Sequence, residues 1–170
     1  MCIRDSGNNG TINGATATTG EIAGGASFNG SNDDISIVAA GSLSAPFTIE
    51  EWAKPANLNN LQGLFGSRTP SDESFDAKLT GSGVHGDIGN GSSWLMTSAD
   101  ASFSYAANTW HHFVYSVTTA GYTIYADGAQ IGSGSFSGTP LLYLSLIHIW
   151  ELDGHVRQTV AHVAMHLVQG

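Results

Sequence analysis

Cysteine is nearly absent from this 170-residue chain, which has a single one, Cys2. One cysteine can neither close a disulfide within the chain nor supply a cysteine cluster for a metal ion. A buried apolar core must therefore hold the fold, and a chain of this length can bury one as a single domain. Scarce cysteine does not exclude secretion, because many extracellular bacterial and viral β-proteins lack it.

Basic residues and charges in general are also scarce. Five Lys and Arg stand against 14 Asp and Glu, so the formal net charge is -9, although only 11% of the residues are charged. Such a surface repels nucleic-acid phosphates and anionic membranes. No apolar run is long enough to span a bilayer. We expect no nucleic-acid partner and no membrane insertion.

What the chain does contain is short runs of β-forming residues separated by Gly, Ser, Thr and Asn, a pattern typical of an all-β sandwich or barrel. The clearest run is residues 110–131. Bulky side chains at both parities of Trp110–Val117 predict a strand covered on both faces. After a turn at 118–121, Tyr122–Ala126 runs back. Asp127-Gly128 then predicts a type I′ hairpin into a third strand.

These residues also carry a family resemblance. WHHFV followed by YTIYADGAQI resembles the core motif of laminin G-like domains in the concanavalin A-like lectin and glucanase superfamily. Three upstream stretches resemble the same family in the same order, and the likeness covers residues 7–143. These stretches are GNNGTINGATATT at 7–19, GGASFNGSNDDI at 24–35 and FTIEEWAKP at 47–55.

The resemblance implies an all-β, concanavalin A-like jelly-roll β-sandwich. It also implies non-catalytic binding of a glycan or glycoprotein, as an adhesion or targeting module of a larger extracellular, cell-surface or phage-structural protein, with calcium as a possible cofactor. Two alternatives stay open: a glycoside hydrolase or lyase of the same superfamily, and a structural spacer domain.

The two ends of the chain differ from this pattern. MCIRDS at residues 1–6 and LSLIHI at 144–149 can be encoded by opposite strands of one oligonucleotide that resembles a transposon end used in sequencing libraries. We therefore expect a domain over 7–143 that is truncated at both ends, flanked by adapter-like segments. In the doubtful tail, 150–170, Val156, Val160, Val163 and Leu167 recur at helical spacing and predict a C-terminal helix.

Between the ends, alternation and turn residues predict a series of short strands, with Gly7–Gly20 as an extended loop. In Phe47–Ala53, Glu51 shares the inward parity of Phe47 and Ile49, where a buried unpaired carboxylate is costly. Either the strand bends there, or a cation such as Arg68 or Lys78 pairs with Glu51. The other predicted strands are Ala26–Phe28, one with Ile35 and Ile37 on one face, Leu61–Phe65, Phe75–Leu79, Val84–Ile88, Ser93–Met96, Ser102–Tyr105 and one beginning at Leu141.

The loop before Ile35 is the candidate metal site. Asn32, Asp33 and Asp34 supply the oxygen ligands that calcium prefers, and many relatives by resemblance bind calcium near one rim of the sandwich. An Asx-rich turn that opens the strand at Ile35 explains the same residues and is the favoured interpretation.

Trp94 is the best candidate for a ligand contact, because it follows the Gly/Asn/Ser loop that begins at Asn90. Asn90 and Tyr105 complete the predicted binding set. Trp52 and Trp110 are expected in the core. His111 and His112 should point to opposite faces of their strand, so they cannot chelate one metal ion together.

Catalytic patterns are missing. Asp72, Glu73 and Asp76 are expected in a solvated loop, and no E-x-D-x-(x)-E run directs three carboxylates into one cleft, as retaining glucanases of the superfamily require. No nucleophile constellation offers another chemistry. We therefore expect a chain that is not an enzyme.

Overall fold

The structure is a computed structural model, and it describes residues 10–22, 24–37, 41–59, 61–67, 73–143, 147–148, 159–162 and 168–169. The first six residues, Arg68, Asp72 and most of the tail lie outside the described residues. Among the described residues, no helix has the length and apolarity that a bilayer crossing requires.

The described elements are all strands, as short β-forming runs between turn residues favour. They are β1 (Gly10–Asn13), β2 (Thr16–Thr19), β3 (Gly24–Ser27), β4 (Asp34–Ile37), β5 (Ser42–Ser44), β6 (Phe47–Pro55), β7 (Gln62–Gly66), β8 (Phe75–Thr80), β9 (Gly83–Gly89), β10 (Trp94–Met96), β11 (Ala101–Ser102), β12 (His111–Val117), β13 (Gly121–Ala126), β14 (Ala129–Ser135), β15 (Leu141–Tyr143), β16 (Ile147–His148), β17 (Thr159–His162) and β18 (Val168–Gln169).

Two large antiparallel sheets form a jelly-roll sandwich. The first sheet has the order β1-β4-β16-β7-β8-β9-β10, with β11 also paired to β9. The second has the order β14-β13-β12-β6-β17-β3-β2, with β18 also paired to β6, and β5 and β15 form a separate pair. The predicted concanavalin A-like jelly-roll class is confirmed.

The core lies between the two sheets because alternate residues of their strands face inward. Buried and partly exposed residues alternate strictly along β6 and β12. Phe75 of β8 is fully buried and contacts rings from both sheets. Its ring centroid lies 5.6 Å from that of Phe65 on β7 and 5.4 Å from that of Tyr115 on β12. Phe75 therefore joins the sheets at the centre of the core.

The hairpin prediction at Asp127-Gly128 is confirmed. Both residues have positive φ, 50° and 80°, as a type I′ turn requires. The Asp127 side chain also fixes the start of β12, accepting the His112 backbone N–H at 2.9 Å and contacting His111 Nδ1 at 2.8 Å. A carboxylate only accepts hydrogen bonds, so Nδ1 carries the proton.

The two histidines lie on opposite faces, as predicted. His111 is buried among the rings of Phe103, Tyr105 and Phe113. Its Nε2 has no hydrogen-bond partner in the described part of the chain. His112 faces outward, 3.5 Å from the carboxylate of Glu50, and stacks on Trp52. Trp52 therefore lies on the outward face of β6 and not in the core.

Glu51 faces inward without a bend in the strand. It is only 3% exposed, and within the described part of the chain neither carboxylate oxygen has a hydrogen-bond partner. Desolvation by this burial raises the pKa of Glu51 from 4.5 to about 8. Of the two expected cations, Lys78 contacts other carboxylates instead, and Arg68 is not described.

Three secondary-structure predictions are wrong. Of the predicted strand Ser102–Tyr105, only Ser102 lies in a strand, β11. The predicted loop at Gly7–Gly20 contains β1 and β2, which pair with β4 and β3. Their residues are mostly exposed, so the stretch lacks the apolar alternation that marks a half-buried strand. The predicted C-terminal helix contains β17 and β18. β17 pairs with β3 on one side and β6 on the other, and these backbone hydrogen bonds outweigh the apolar spacing.

Candidate functional site

The outward face of β8 and β9 carries charged side chains at alternate positions. Phe75, Ala77 and Leu79 of β8 face the core, so Asp76 and Lys78 face away from it. In β9, Val84 and Ile88 face the core, which leaves His85 and Asp87 outside. The register pairs Asp76 with Asp87 and Lys78 with His85, so the four side chains form a block on two neighbouring strands.

A fifth residue, Asp100, extends this block across the edge of the sheet. Ala101 pairs with Val84, which brings the preceding Asp100 beside His85. The distance from His85 Nδ1 to the Asp100 carboxylate is 2.7 Å. We call Asp76, Lys78, His85, Asp87 and Asp100 the charged row.

Ion pairs link the members of the charged row to one another. Lys78 Nζ lies 3.4 Å from the Asp76 carboxylate and 3.6 Å from that of Asp87. His85 Nε2 lies 3.4 Å from Asp87. Side-chain exposure rises from 8% at Asp76 to 50% at Asp100. The inner members are therefore largely desolvated, which strengthens their electrostatic interactions, while the outer end is open to water.

Glycines flank the charged row on one side, and a tryptophan flanks it on the other. On β7, Gly63 lies opposite Lys78 and Gly66 opposite Asp76, so β7 places no side chain beside them. On the far side, Trp94 begins β10 opposite Gly89, two residues beyond Asp87. Opposed residues of an antiparallel pair share a face, so Trp94 lies at the end of the charged row.

The predicted ligand-binding residues do not come together. Asn90 begins the loop that leads to Trp94, and its side-chain oxygen accepts hydrogen bonds from the backbone and hydroxyl groups of Ser92 and Ser93, which closes the loop. Tyr105 is buried, and its hydroxyl donates to the carbonyl of Thr80, at the opposite end of the β8–β9 pair. Trp94 and Asn90 share one end of the sheet, without Tyr105.

The predicted calcium residues form a hydrogen-bonded turn. Asp33 accepts the Asn29 N–H at 2.8 Å, and the Asn29 side-chain oxygen accepts the N–H groups of Ser31 and Asn32. Asp34 accepts instead from the Asn13 amide at 2.8 Å. The carboxylates are thus held by separate partners, a poor fit to a calcium cage of six to eight converging oxygens. Calcium binding at Asn32, Asp33 and Asp34 stays a prediction.

The described residues contain no group of three or more His, Cys, Asp and Glu that could hold a metal ion. In the charged row the aspartates contact Lys78 or His85. What this row offers chemically is an alternation of hydrogen-bond acceptors and donors next to an indole ring.

Sequence reasoning missed the charged row because it considered Asp76 together with Asp72 and Glu73 as a solvated carboxylate cluster, although Asp76 also falls within the predicted strand Phe75–Leu79 and lies within β8. The available signal was alternation. In FDAKLT and GVHGDIG the charged residues occupy every second position between apolar or glycine positions, which marks one outward face. Their pairing across strands depends on register, which the sequence does not give.

Comparison with known proteins agrees with the architecture. The Laminin_G_3 family model, described as concanavalin A-like lectin/glucanases superfamily, matches residues 29–147. No curated protein matches the sequence.

Several solved structures share the fold at low sequence identity. Domain 4 of AbnA, an extracellular GH43 arabinanase from Geobacillus stearothermophilus solved with arabinotriose, is 18% identical, with a TM-score of 0.63 over 92% of this chain and 83% of that domain. The galectin LEC-6 of Caenorhabditis elegans is 14% identical, with a TM-score of 0.51 over 81% of this chain and 96% of that one.

The binding domain of botulinum neurotoxin serotype D is 11% identical, with a TM-score of 0.63 over 94% of this chain. This chain spans only 44% of that binding domain.

Proposed function

The chain belongs to the Laminin_G_3 family of the concanavalin A-like lectin/glucanases superfamily, and on that premise we propose that it is a non-catalytic module that binds a glycan or glycoprotein. Its binding surface is the charged row together with Trp94. The module serves adhesion or targeting in a larger extracellular, cell-surface or virion protein. Besides its ligand, its partners are the other domains of that larger protein.

The observation that carries this proposal is the side-chain chemistry of the charged row. A sugar hydroxyl both donates and accepts, so it suits a surface where carboxylates alternate with an ammonium and an imidazole. An ammonium has three donors and a carboxylate about four acceptor sites, so groups that already form ion pairs retain capacity for a ligand. Bonds to charged groups are also the stronger ones.

Trp94 adds an apolar platform at the end of the charged row. Indole rings combine a large apolar surface with one polar N–H, and the C–H face of a sugar ring packs on such a surface. The arabinotriose in the AbnA domain structure and the galectin with a similar fold support a glycan as the ligand class.

Variants of matched residues on the two sheets test the location of the site. A glycan array with the wild-type protein identifies a ligand, and calorimetry then compares Trp94→Ala with Trp52→Ala. Both tryptophans are partly exposed on outward faces, but Trp52 lies on the second sheet. We expect roughly tenfold or greater loss of affinity for Trp94→Ala, as for a central aromatic contact, and no loss for Trp52→Ala.

A second pair repeats the comparison for a cation. Lys78→Met should weaken binding, whereas Lys54→Met, on the outward face of β6, should not. Equal losses on both sheets, or no binding to any glycan by a folded protein, would disprove the proposal. Unfolding temperatures of all four variants separate lost binding from lost folding.

Glycoside hydrolysis is the second candidate function, favoured only by the nearness of carboxylates within the charged row. Asp76 and Asp87 share the ammonium of Lys78 and do not face each other across a gap for a glycosidic bond, the arrangement that hydrolysis by two carboxyl groups requires. We expect no release of reducing sugar from a glycan that the protein binds.

A further inference from the structure

Two buried polar groups on neighbouring strands lack hydrogen-bond partners. Neither carboxyl oxygen of Glu51 on β6 has a partner in the described part of the chain, and Nε2 of His111 on β12 has none there either. Both side chains face the core between the sheets and are buried. A buried polar group without a hydrogen bond destabilises a fold, so nearly all such groups bind a protein atom or an ordered water.

The strand register places these two groups beside each other. Glu51 is paired with Phe113 and Ala53 with His111, so the four inward-facing residues form a block on two strands. Glu51 and His111 occupy one diagonal of this block. Diagonal neighbours on one face of an antiparallel pair lie about 7–8 Å apart, within reach of long and ring side chains. The two groups are therefore close, although they do not bond to each other directly.

Ala53 borders both polar groups and takes up little space. It is fully buried, two residues from Glu51 on the same strand and opposite His111 on the next. Its side chain is a single methyl group. A bound water needs only about 10–15 Å³ of free volume and about two to four polar partners, so a small residue at this position favours one.

The contact between His111 and Asp127 orients the imidazole ring. Nδ1 lies 2.8 Å from the Asp127 carboxylate, at the turn between β13 and β14. The two nitrogens of an imidazole ring direct their hydrogen bonds away from each other, so this contact turns Nε2 away from that turn. β6 lies on the other side of β12 from β13. Nε2 is therefore directed away from Asp127 and into the block that contains Glu51.

The hydrogen-bonding chemistry of the two groups suits water. Burial raises the pKa of Glu51 to about 8, so near neutral pH its carboxyl group keeps a proton and can both donate and accept. Water also donates and accepts, so it can bond to that group and, at the same time, to Nε2 of His111. An apolar or ionic occupant would leave at least one of the two groups unsatisfied.

We propose that one ordered water molecule is bound inside the core between Glu51 and His111. It bonds to the carboxyl group of Glu51 and to Nε2 of the imidazole. Together with the contact from His111 to Asp127, it completes a chain of hydrogen bonds from β6 through β12 to the β13–β14 turn. Side chains thus link these three elements in addition to their backbone pairing.

A crystal structure of the wild-type protein, at a resolution that reveals ordered waters, tests the site directly. We expect an electron-density peak within hydrogen-bond distance, about 2.7–3.2 Å, of both a Glu51 carboxyl oxygen and His111 Nε2. Direct contact between the carboxyl group and Nε2, or no peak between them, would overturn the proposal.

Nuclear magnetic resonance tests the same site in solution, by magnetisation transfer from bound water to the ring C–H protons of His111. We expect transfer in the wild type and none in Ala53→Val, because two added methyl carbons fill the site. Ala126→Val adds the same atoms at a buried position opposite Phe113 and should retain the transfer. No transfer in the wild type, or the same result in both variants, would show that the water does not lie beside Ala53.

The chain of hydrogen bonds also predicts coupling between its two ends. Asp127→Ala should shift the urea denaturation midpoint less in a Glu51→Met background than in the wild type, because the chain is already broken there. A Glu50→Met background, which changes the outward-facing neighbour, should leave the shift unchanged. Equal shifts in all three backgrounds would show that the two ends are not linked and would also overturn the proposal.

Discussion

Glu51 is an ionisable residue at a position of β6 that faces the apolar core. The strict alternation of β6 directs its carboxyl group into an apolar layer, where neither oxygen finds a hydrogen-bond partner among the described residues. A buried ionised carboxylate without a partner is so costly that the group retains its proton instead. Folding therefore couples to protonation at this one position.

This coupling predicts a pH-dependent stability. The pKa of Glu51 is raised to about 8 in the folded protein, so between its ordinary pKa and that value the folded state holds a proton that the unfolded state lacks. The free energy of unfolding should then fall by about 1.4 kcal/mol per pH unit as the pH rises through that window, and level off above it. Urea unfolding at several pH values measures the slope.

Glu51→Gln should remove this slope, because its neutral side chain has a similar shape and no proton to lose. Glu50→Gln is the matched control. It neutralises the next residue, whose side chain faces outward near His112, and should keep the slope. Identical slopes in wild type and Glu51→Gln would show that Glu51 does not control the pH dependence.

At the scale of elements, the β13–β14 hairpin also fixes the start of β12 through the side chain of Asp127. Asp127→Ala removes the acceptor of the His112 N–H and of His111 Nδ1, leaving a largely buried imidazole donor without its partner. We expect a loss of about 1–3 kcal/mol in unfolding free energy. Asp127→Asn retains an acceptor and tolerates positive φ, so it should lose less. Equal denaturation midpoints for the two variants would contradict the claim that Asp127 stabilises the start of β12.

The Asn29–Asp33 loop closes with hydrogen bonds within itself. We therefore expect its order, and the unfolding temperature of the protein, to be the same in calcium and in a chelator. A protein that binds calcium in its folded state would melt higher in its presence. Such a rise, lost in Asp33→Asn, would establish the calcium site that the resemblance implies.

The elements with a strong apolar alternation could be predicted from the sequence, and those without it could not. The sequence was enough to predict the strands that contain Phe47, Phe75, Val84 and His111 and the turn at Asp127-Gly128, because burial and turn chemistry are local signals. β1 and β2 were not, because mainly backbone pairing holds these exposed strands. The charged row is an intermediate case. The alternation of residue types predicts that its members face outward, but only the strand register brings them together.

For the whole molecule, stability depends on the layer that joins the two sheets. Phe75 on the first sheet contacts Phe47 and Tyr115 on the second. Phe75→Ala should lower the unfolding free energy by about 3–5 kcal/mol, through lost transfer energy and the cavity left behind. Leu61→Ala, at a half-exposed position, should cost far less. Similar losses in both variants on chemical denaturation would contradict this view of the core.

The central claim is that a glycan binds on the outward face of β8 and β9. The most direct test is nuclear magnetic resonance of the ¹⁵N-labelled protein, titrated with a soluble oligosaccharide of the array glycan that binds best. We predict that the shifted amides cluster at Lys78, His85, Asp87, Trp94 and Asp100. Shifts confined to the outward face of the second sheet, around Trp52 and His112, or to the Asn29–Asp33 loop, would contradict the claim.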